Sequence, residues 1–253
     1  MTRLAGAEAF RFDGGPAGAL LCHGFTGTPQ SLRPWGEHLA AAGLSVSCPL
    51  LPGHGTRWQD LNRTRWPDWY EAVETAYDEL AGRCGTVVVM GLSAGATLAL
   101  RLAECRPDAV AGLVLVNPSL MTTRQSFAAL PVLQWILPSL SGPANDIRKP
   151  GAVELAYDRA PLRALYSLTR LWRVVRADLD RVTAPLLVFR SPHDHVVEPV
   201  NTELLLAAVR SGVTEERLLP DSYHVATLDH DAPTIFAGSL DFVHAHATSR
   251  AAG

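Results

Sequence analysis

The chain has 253 residues, of which 47% are apolar and 19% charged, and a formal net charge of −3. A chain of this length fits one large domain with an ample apolar core, and its mixed, nearly balanced charge excludes a disordered polymer and gives no basic surface for nucleic acid. Cys22, Cys48, Cys84 and Cys105 stand singly with no C-x-x-C pair, which suits reduced, buried thiols rather than a disulfide framework. The stretch from Met1 to Glu8 lacks the apolar core of a signal peptide, and no run elsewhere reaches bilayer length, so a soluble, cytoplasmic protein is expected.

Short apolar runs alternate with amphipathic segments from about residue 17 to residue 246, which predicts an α/β fold with a mostly parallel sheet flanked by helices. The first clear strand, Gly18 to Cys22, opens into His23-Gly24-Phe25-Thr26-Gly27-Thr28-Pro29, and a helix over about 30–42 stops at Gly43. A strand over 44–48 leads to the turn-rich Leu51-Pro52-Gly53-His54-Gly55, and a helix over 68–81 follows, with Pro67 just before it. The central unit is a strand over 86–90, a turn at Ser93, a helix to Glu104 and a strand over 112–116. Its strands are unbroken apolar runs, as expected when both faces are covered. From Pro118 to about Arg181 the alternation gives way to a helical, proline-punctuated stretch rich in Leu, Trp and Arg. A structureless loop of that length does not suit a compact domain, so 118–181 is expected to be a cap inserted into a core made of 1–117 and 182–253. A strand over 185–189, a helix over 199–210, a strand over 215–219 and a helix over 232–246 complete the pattern. No repeat or low-complexity linker interrupts it.

Gly91-Leu92-Ser93-Ala94-Gly95 lies between the run Val87 to Met90 and an Ala/Leu-rich helix. In so tight a strand-to-helix turn only small residues fit two positions either side of the serine, and the strained backbone lifts the hydroxyl over the sheet. A serine hydroxyl is a poor nucleophile at neutral pH and needs a base, with a carboxylate to hold that base in the right tautomer. Asp194 follows the strand over 185–189 and His224 follows the strand over 215–219. The order Ser93, Asp194, His224 is that of an α/β-hydrolase triad. The oxyanion formed on attack needs fixed donors. The N–H of Ala94, at a helix N-terminus, supplies one, and that of Phe25 is placed to supply the other.

The stretches from His23 to Pro29, Leu51 to Gly55, Gly91 to Gly95, Asp194 to Val197 and Ser222 to Asp229 resemble those of bacterial carboxylesterases and monoacylglycerol lipases of the α/β-hydrolase fold. The resemblance implies an eight-stranded core with a small helical cap, Ser93 as nucleophile, Asp194 as acid, His224 as base, and Phe25 with Ala94 as the oxyanion hole. In the monoacylglycerol lipases of this family a cap carboxylate contacts the glycerol, and Glu154 is the matching residue. Ala94-Gly95-Ala96 stands where these esterases often carry Met-Gly-Gly, which keeps a backbone donor and alters the acyl pocket. The activity implied is hydrolysis of short- to medium-chain acyl esters, monoacylglycerols among them, through an acyl-enzyme. No metal or organic cofactor is required. The partner is the small-molecule ester, with neither nucleic acid nor stable membrane insertion, and nothing sets an oligomeric state. An acyl thioesterase would use the same machinery. A non-catalytic hydrolase-fold binding protein is the reading from another class, and the intact nucleophile, base and acid argue against it.

Other residues have plainer readings. His193 and His195 flank Asp194 but lack a third metal ligand at recognisable spacing, and His23 and His54 are expected to shape their loops. The apolar segment Phe127 to Leu137 suits either a lipid-facing surface or the buried face of a cap helix. Arg159, Arg163, Arg170, Arg173 and Arg176 recur at near-helical spacing, as on a solvated face. Ser119, Ser191 and Ser222 lack the glycine-flanked turn and are read as loop serines.

Overall fold

The computed structural model describes residues 3–142 and 145–246; the remaining positions of the expected core and cap lie outside the described residues. In chain order the first elements are β1 (Phe10–Phe12), β2 (Ala17–Cys22), α1 (Arg33–Ala41), β3 (Ser45–Cys48), α2 (Trp58–Leu61), α3 (Trp66–Ala81), β4 (Thr86–Leu92), α4 (Ala94–Cys105) and β5 (Gly112–Val116). Then come α5 (Leu130–Ile136), β6 (Ser139–Ser141), β7 (Arg159–Pro161), α6 (Leu162–Asp178), β8 (Leu186–Arg190), α7 (Val200–Ala208), β9 (Thr214–Leu218) and α8 (Ala232–His246).

Seven strands form one sheet in the order β1-β3-β2-β4-β5-β8-β9. Only β1 runs antiparallel to its neighbour. The family resemblance implied eight strands, and the described residues supply seven. The chain steps from β2 to β3 on one side and returns to place β4 on the other, so the strand order reverses between β2 and β4. In open α/β sheets, ligands gather beyond the strand carboxyl ends at such a reversal. The register brings those ends level, because Cys22 pairs with Gly91, Leu92 with Val116, Val116 with Phe189 and Arg190 with Leu218. Five loops therefore start from one edge.

Alternation along the strands divides the core into two layers. Leu20, Val87, Val89, Leu113, Leu115, Leu186 and Val188 face α3, α4 and α6. Leu21, Val88, Met90, Val114, Val116, Leu187 and Phe189 face α1 and α8. β9 departs from this pattern: its Thr214-Glu215-Glu216-Arg217-Leu218 is largely exposed, as suits a sheet edge.

Residues 118–181 are less helical than their composition suggests, since β6 and β7 pair as an antiparallel ribbon between α5 and α6. Leu168, Leu171, Trp172 and Val175 of α6 join the same apolar cluster as Leu98 and Leu102 of α4. Val132, Trp135 and Ile136 of α5 are exposed, so the apolar run from Phe127 to Leu137 is not simply a buried face. The five cap arginines are exposed, as expected of a solvated face, and two of them also cover rings: Arg159 lies over Trp58 and Arg163 over Trp135. Cys22, Cys48 and Cys84 are buried free thiols, whereas Cys105, at the end of α4, is exposed, against the expectation of burial. No helix among the described residues is long and apolar enough to cross a membrane.

Candidate active site

Ser93 joins β4 to α4 with φ 56° and ψ −118°. That left-handed φ is unusual for a residue with a side chain and is a strain that functional sites retain. The flanking glycines make the turn possible. A β-carbon on Gly91 would lie 2.5 Å from the carbonyl carbon of Gly95, and one on Gly95 would lie 2.0 Å from the carbonyl oxygen of Cys22. The Ser93 N–H donates to Val116 O at 3.0 Å, which ties the turn to the end of β5.

Asp194 and His224 come together from the loops after β8 and β9, with Asp194 Oδ2 at 2.7 Å from His224 Nδ1. Asp194 Oδ1 accepts the N–H groups of Val196 and Val197 at 2.7 and 2.8 Å. Burial pushes the Asp194 carboxyl up, but the His224 charge and these hydrogen bonds outweigh it and leave it below the usual carboxylate range. Burial likewise pulls His224 down, and the carboxylates of Asp194, Glu154 and Asp146 more than reverse that, so its imidazole titrates above the ordinary histidine value. An ionised Asp194 can only accept, so it fixes the proton on Nδ1 and leaves Nε2 as the basic atom. The main chain of His224 is held too: Asn117 Nδ2 donates to its carbonyl at 2.8 Å, and its N–H donates to Asp146 Oδ2 at 3.1 Å.

The loop after β2 brings Phe25 beside this site, with Gly24 directly against Ser93. His23 shapes the loop. Its Nε2 accepts the Leu51 N–H at 3.1 Å, which leaves Nδ1 as the donor to Gly24 O at 3.0 Å. Burial lowers the His23 pKa to about 4, so the ring stays neutral and the tautomer is set. His54 is also buried, held well below the usual range by desolvation, and packs edge-on to His23 and Trp69. Both are loop-shaping residues, as expected. The N–H groups of Phe25 and Ala94 have no protein acceptor among the described residues.

Ser93, Phe25, His224 and Glu154 line one cavity of about 310 Å³. Its walls include Phe127, Leu140, Leu162, Leu165, Leu168 and Trp172, and its polar lining includes Thr26, Asn145, Asp146 and Glu154. Asp194 is not among the lining residues; it reaches the cavity only through His224. The segment around Glu154 is stitched to the Phe25 loop: Gln30 Nε2 donates to Val153 O, Leu155 N–H to Gln30 Oε1, Thr28 Oγ1 to Leu155 O and Tyr157 N–H to Thr26 O. A β-carbon on Gly27 would come within 2.8 Å of Glu154 Oε1, so Gly27 makes room for that carboxyl. Burial raises the Glu154 pKa to about 7, against the opposing pull of His224.

All six sequence-predicted site residues therefore belong to one region. His193 is exposed and His195 pairs with Asp146 at 2.8 Å. Among the described residues no three His, Cys, Asp or Glu side chains gather into a metal-binding set. Ser191 Oγ donates to Tyr223 O, and Ser222 Oγ to Asp231, which are structural roles. The sequence reading missed Asn117 and Asp146. Asn117, at φ 45° directly after an apolar strand, belongs to a residue type that tolerates left-handed turns, which was the available signal. Asp146 offered none.

The family model described as "serine aminopeptidase, S33" matches residues 17–231. The thermostable monoacylglycerol lipase of Bacillus sp. (strain H-257) is 43% identical over 96% of this chain and 97% of its own. The carboxylesterase of Bacillus subtilis (strain 168) is 25% identical over 93% of this chain and 96% of its own. A solved structure from work on the metagenome-derived lipolytic enzymes LipS and LipT superposes with a TM-score of 0.94 at 37% identity, covering 97% of this chain and 100% of that one. The expected resemblance to bacterial carboxylesterases and monoacylglycerol lipases is thus borne out, and the chain belongs to the serine aminopeptidase S33 family of α/β-hydrolases.

Proposed function

We propose that the chain is a serine carboxylic-ester hydrolase acting on short- to medium-chain acyl esters, monoacylglycerols included. The observation that carries this reading is a single cavity faced by Ser93 and His224, with Asp194 seated on the far nitrogen of His224. His224 Nε2 takes the Ser93 proton as Oγ attacks the ester carbonyl, and the N–H groups of Phe25 and Ala94 hold the oxyanion. The tetrahedral intermediate expels the alcohol, which receives the proton from His224. Water activated by the same base then releases the acid and frees Ser93. Asp194 keeps Nδ1 protonated and steadies the imidazolium.

The cavity's mixed lining suits an amphiphilic ester. The leucines, Phe127 and Trp172 take the acyl chain, and Glu154 takes the alcohol. With a pKa near 7, Glu154 can both donate to and accept from a glycerol hydroxyl. Residues 118–181 act as the cap, and 1–117 with 182–253 as the core that carries the chemistry. Four cysteines spaced singly in the sequence suit a reducing, cytoplasmic setting. The substrate is the partner, with no role for nucleic acid or stable membrane insertion.

The test is kcat/KM for a p-nitrophenyl ester chain-length series, 1-monoacylglycerols, matched thioesters and an aminoacyl p-nitroanilide. The reading expects the oxygen esters to lead, with monoacylglycerols among the best substrates. A preference for the anilide or the thioester would overturn it.

A further inference from the structure

Asp146 lies in the cap segment between β6 and β7, yet among the described residues every hydrogen bond its side chain makes goes to the loops bearing Asp194 and His224. Its Oδ2 accepts two N–H groups, from His195 at 3.2 Å and from His224 at 3.1 Å. Its Oδ1 stands 2.8 Å from His195 Nδ1. Its own carbonyl accepts the Val225 N–H at 3.1 Å. The His195 ring in turn packs edge-on to Tyr223, ring centres 4.6 Å apart. One carboxylate oxygen thus spans the residue after Asp194 and the backbone of His224.

We propose that Asp146 is a positioning residue: a cap-borne carboxylate that holds the His224 loop in register with the Asp194 loop, so that the base is competent only while this part of the cap is docked. The inference rests on His224 being the base of the ester hydrolase.

The geometry distinguishes Asp146 from the other supports. Asn117 grips the His224 carbonyl from the end of β5 and Asp194 grips the ring; both belong to the core whatever the cap does. Asp146 alone of these three comes from the cap, and its side chain is only 17% exposed. It also carries charge. The groups facing it are His195 and His224; Arg124 donates to the His195 carbonyl, and Asp194 and Glu154 act on His224 from the other sides. The Asp146 charge adds to those carboxylates in favouring the imidazolium. Small misplacements of a catalytic group can cost about a hundredfold in rate.

The test uses the full chain with p-nitrophenyl butyrate from pH 5 to 9, and rates per active site as titrated by a fluorophosphonate. Asp146→Ala is expected to lower kcat about 10- to 100-fold with KM within about twofold. Asp146→Asn keeps an acceptor for both N–H groups, so it should restore most of kcat while moving the acid limb of kcat/KM to lower pH. His193→Ala, on the exposed side of Asp194, should match the parent. Parent-like kcat per site in Asp146→Ala would overturn the proposal. If that variant fails to fold, parent-like kcat per site in Asp146→Ser, whose hydroxyl is too short to span the two N–H groups, would do so. Failure of the underlying reading looks different: Ser93→Ala or His224→Ala would then keep activity.

Discussion

The carbonyl oxygen of Cys22 stands 2.0 Å from the point where a β-carbon on Gly95 would lie, so the first turn of α4 presses directly on the end of β2. Backbone on both sides leaves no flexible side chain to yield. Gly95→Ala must therefore push α4 and the Ser93 turn away from the loop that carries Phe25. Overpacking of this kind costs about 1–3 kcal/mol, or roughly 2–12 °C in melting temperature for a domain of this size. We expect a lowered Tm together with kcat reduced by more than the loss of folded protein explains. An Ala variant with parent Tm and kcat would contradict the packing.

The acid limb of kcat/KM should report His224. Its folded value lies above 6.5 because the surrounding carboxylates outweigh burial, and the enzyme works when the ring is neutral, so activity should rise with pH through a midpoint above 6.5. Asp194→Asn preserves the shape but loses the acceptor that fixes the Nδ1–H tautomer. A fall in kcat of about 10⁴ is expected. Retention of more than a tenth of kcat in this variant would separate Asp194 from the chemistry.

Glu154 is predicted to sort substrates by their alcohol. A hydrogen bond to a charged group contributes about 1.5–3 kcal/mol, so Glu154→Ala should reduce kcat/KM for 1-monoacylglycerols about 10- to 100-fold. The p-nitrophenyl esters, whose leaving group has no hydroxyl for Glu154, should change only a few-fold when assayed at pH 8. Equal losses on both substrate types would assign Glu154 to the cavity's shape instead.

Glu104 sets a stability test away from the cavity. Its side chain is fully buried at the end of α4, Oε2 accepts from Arg101 at 3.0 Å and Oε1 has no hydrogen-bond partner among the described residues. Burial raises its pKa to about 8. Unfolded, the group releases its proton near 4.5, so from about pH 4.5 to 8 the folded state binds more protons and this contribution to stability falls as pH rises. Glu104→Gln cannot ionise. Its Tm relative to the parent should therefore climb between pH 5 and pH 8, and a pH-independent difference would refute the assignment.

Sequence and structure part company for physical reasons. The central strands were legible because unbroken apolar runs report burial on both faces, and the Ser93 turn because Val87 to Met90 run straight into a serine flanked by Gly91 and Gly95. Asp194 was legible because it follows such a run, and His224 because it completes the hydrolase order after the polar edge strand β9. The three-residue β1, β6 and β7 are too short to carry a period, and their pairing depends on distant partners. Asp146 and Asn117 act on backbone N–H and C=O groups, which every residue possesses, so no spacing in the chain announces them. Cys105 closes α4 with an apolar-looking residue that only tertiary packing places at the surface.

Whether Ser93 attacks the ester is decided by intact-mass and peptide mapping after fluorophosphonate treatment, alongside ester turnover. One adduct on Ser93 is expected, with no labelling of Ser93→Ala and turnover in that variant lowered by about 10⁶, the scale seen when a triad nucleophile is lost. An adduct on another serine, or substantial esterase activity surviving in Ser93→Ala, would contradict attack by Ser93.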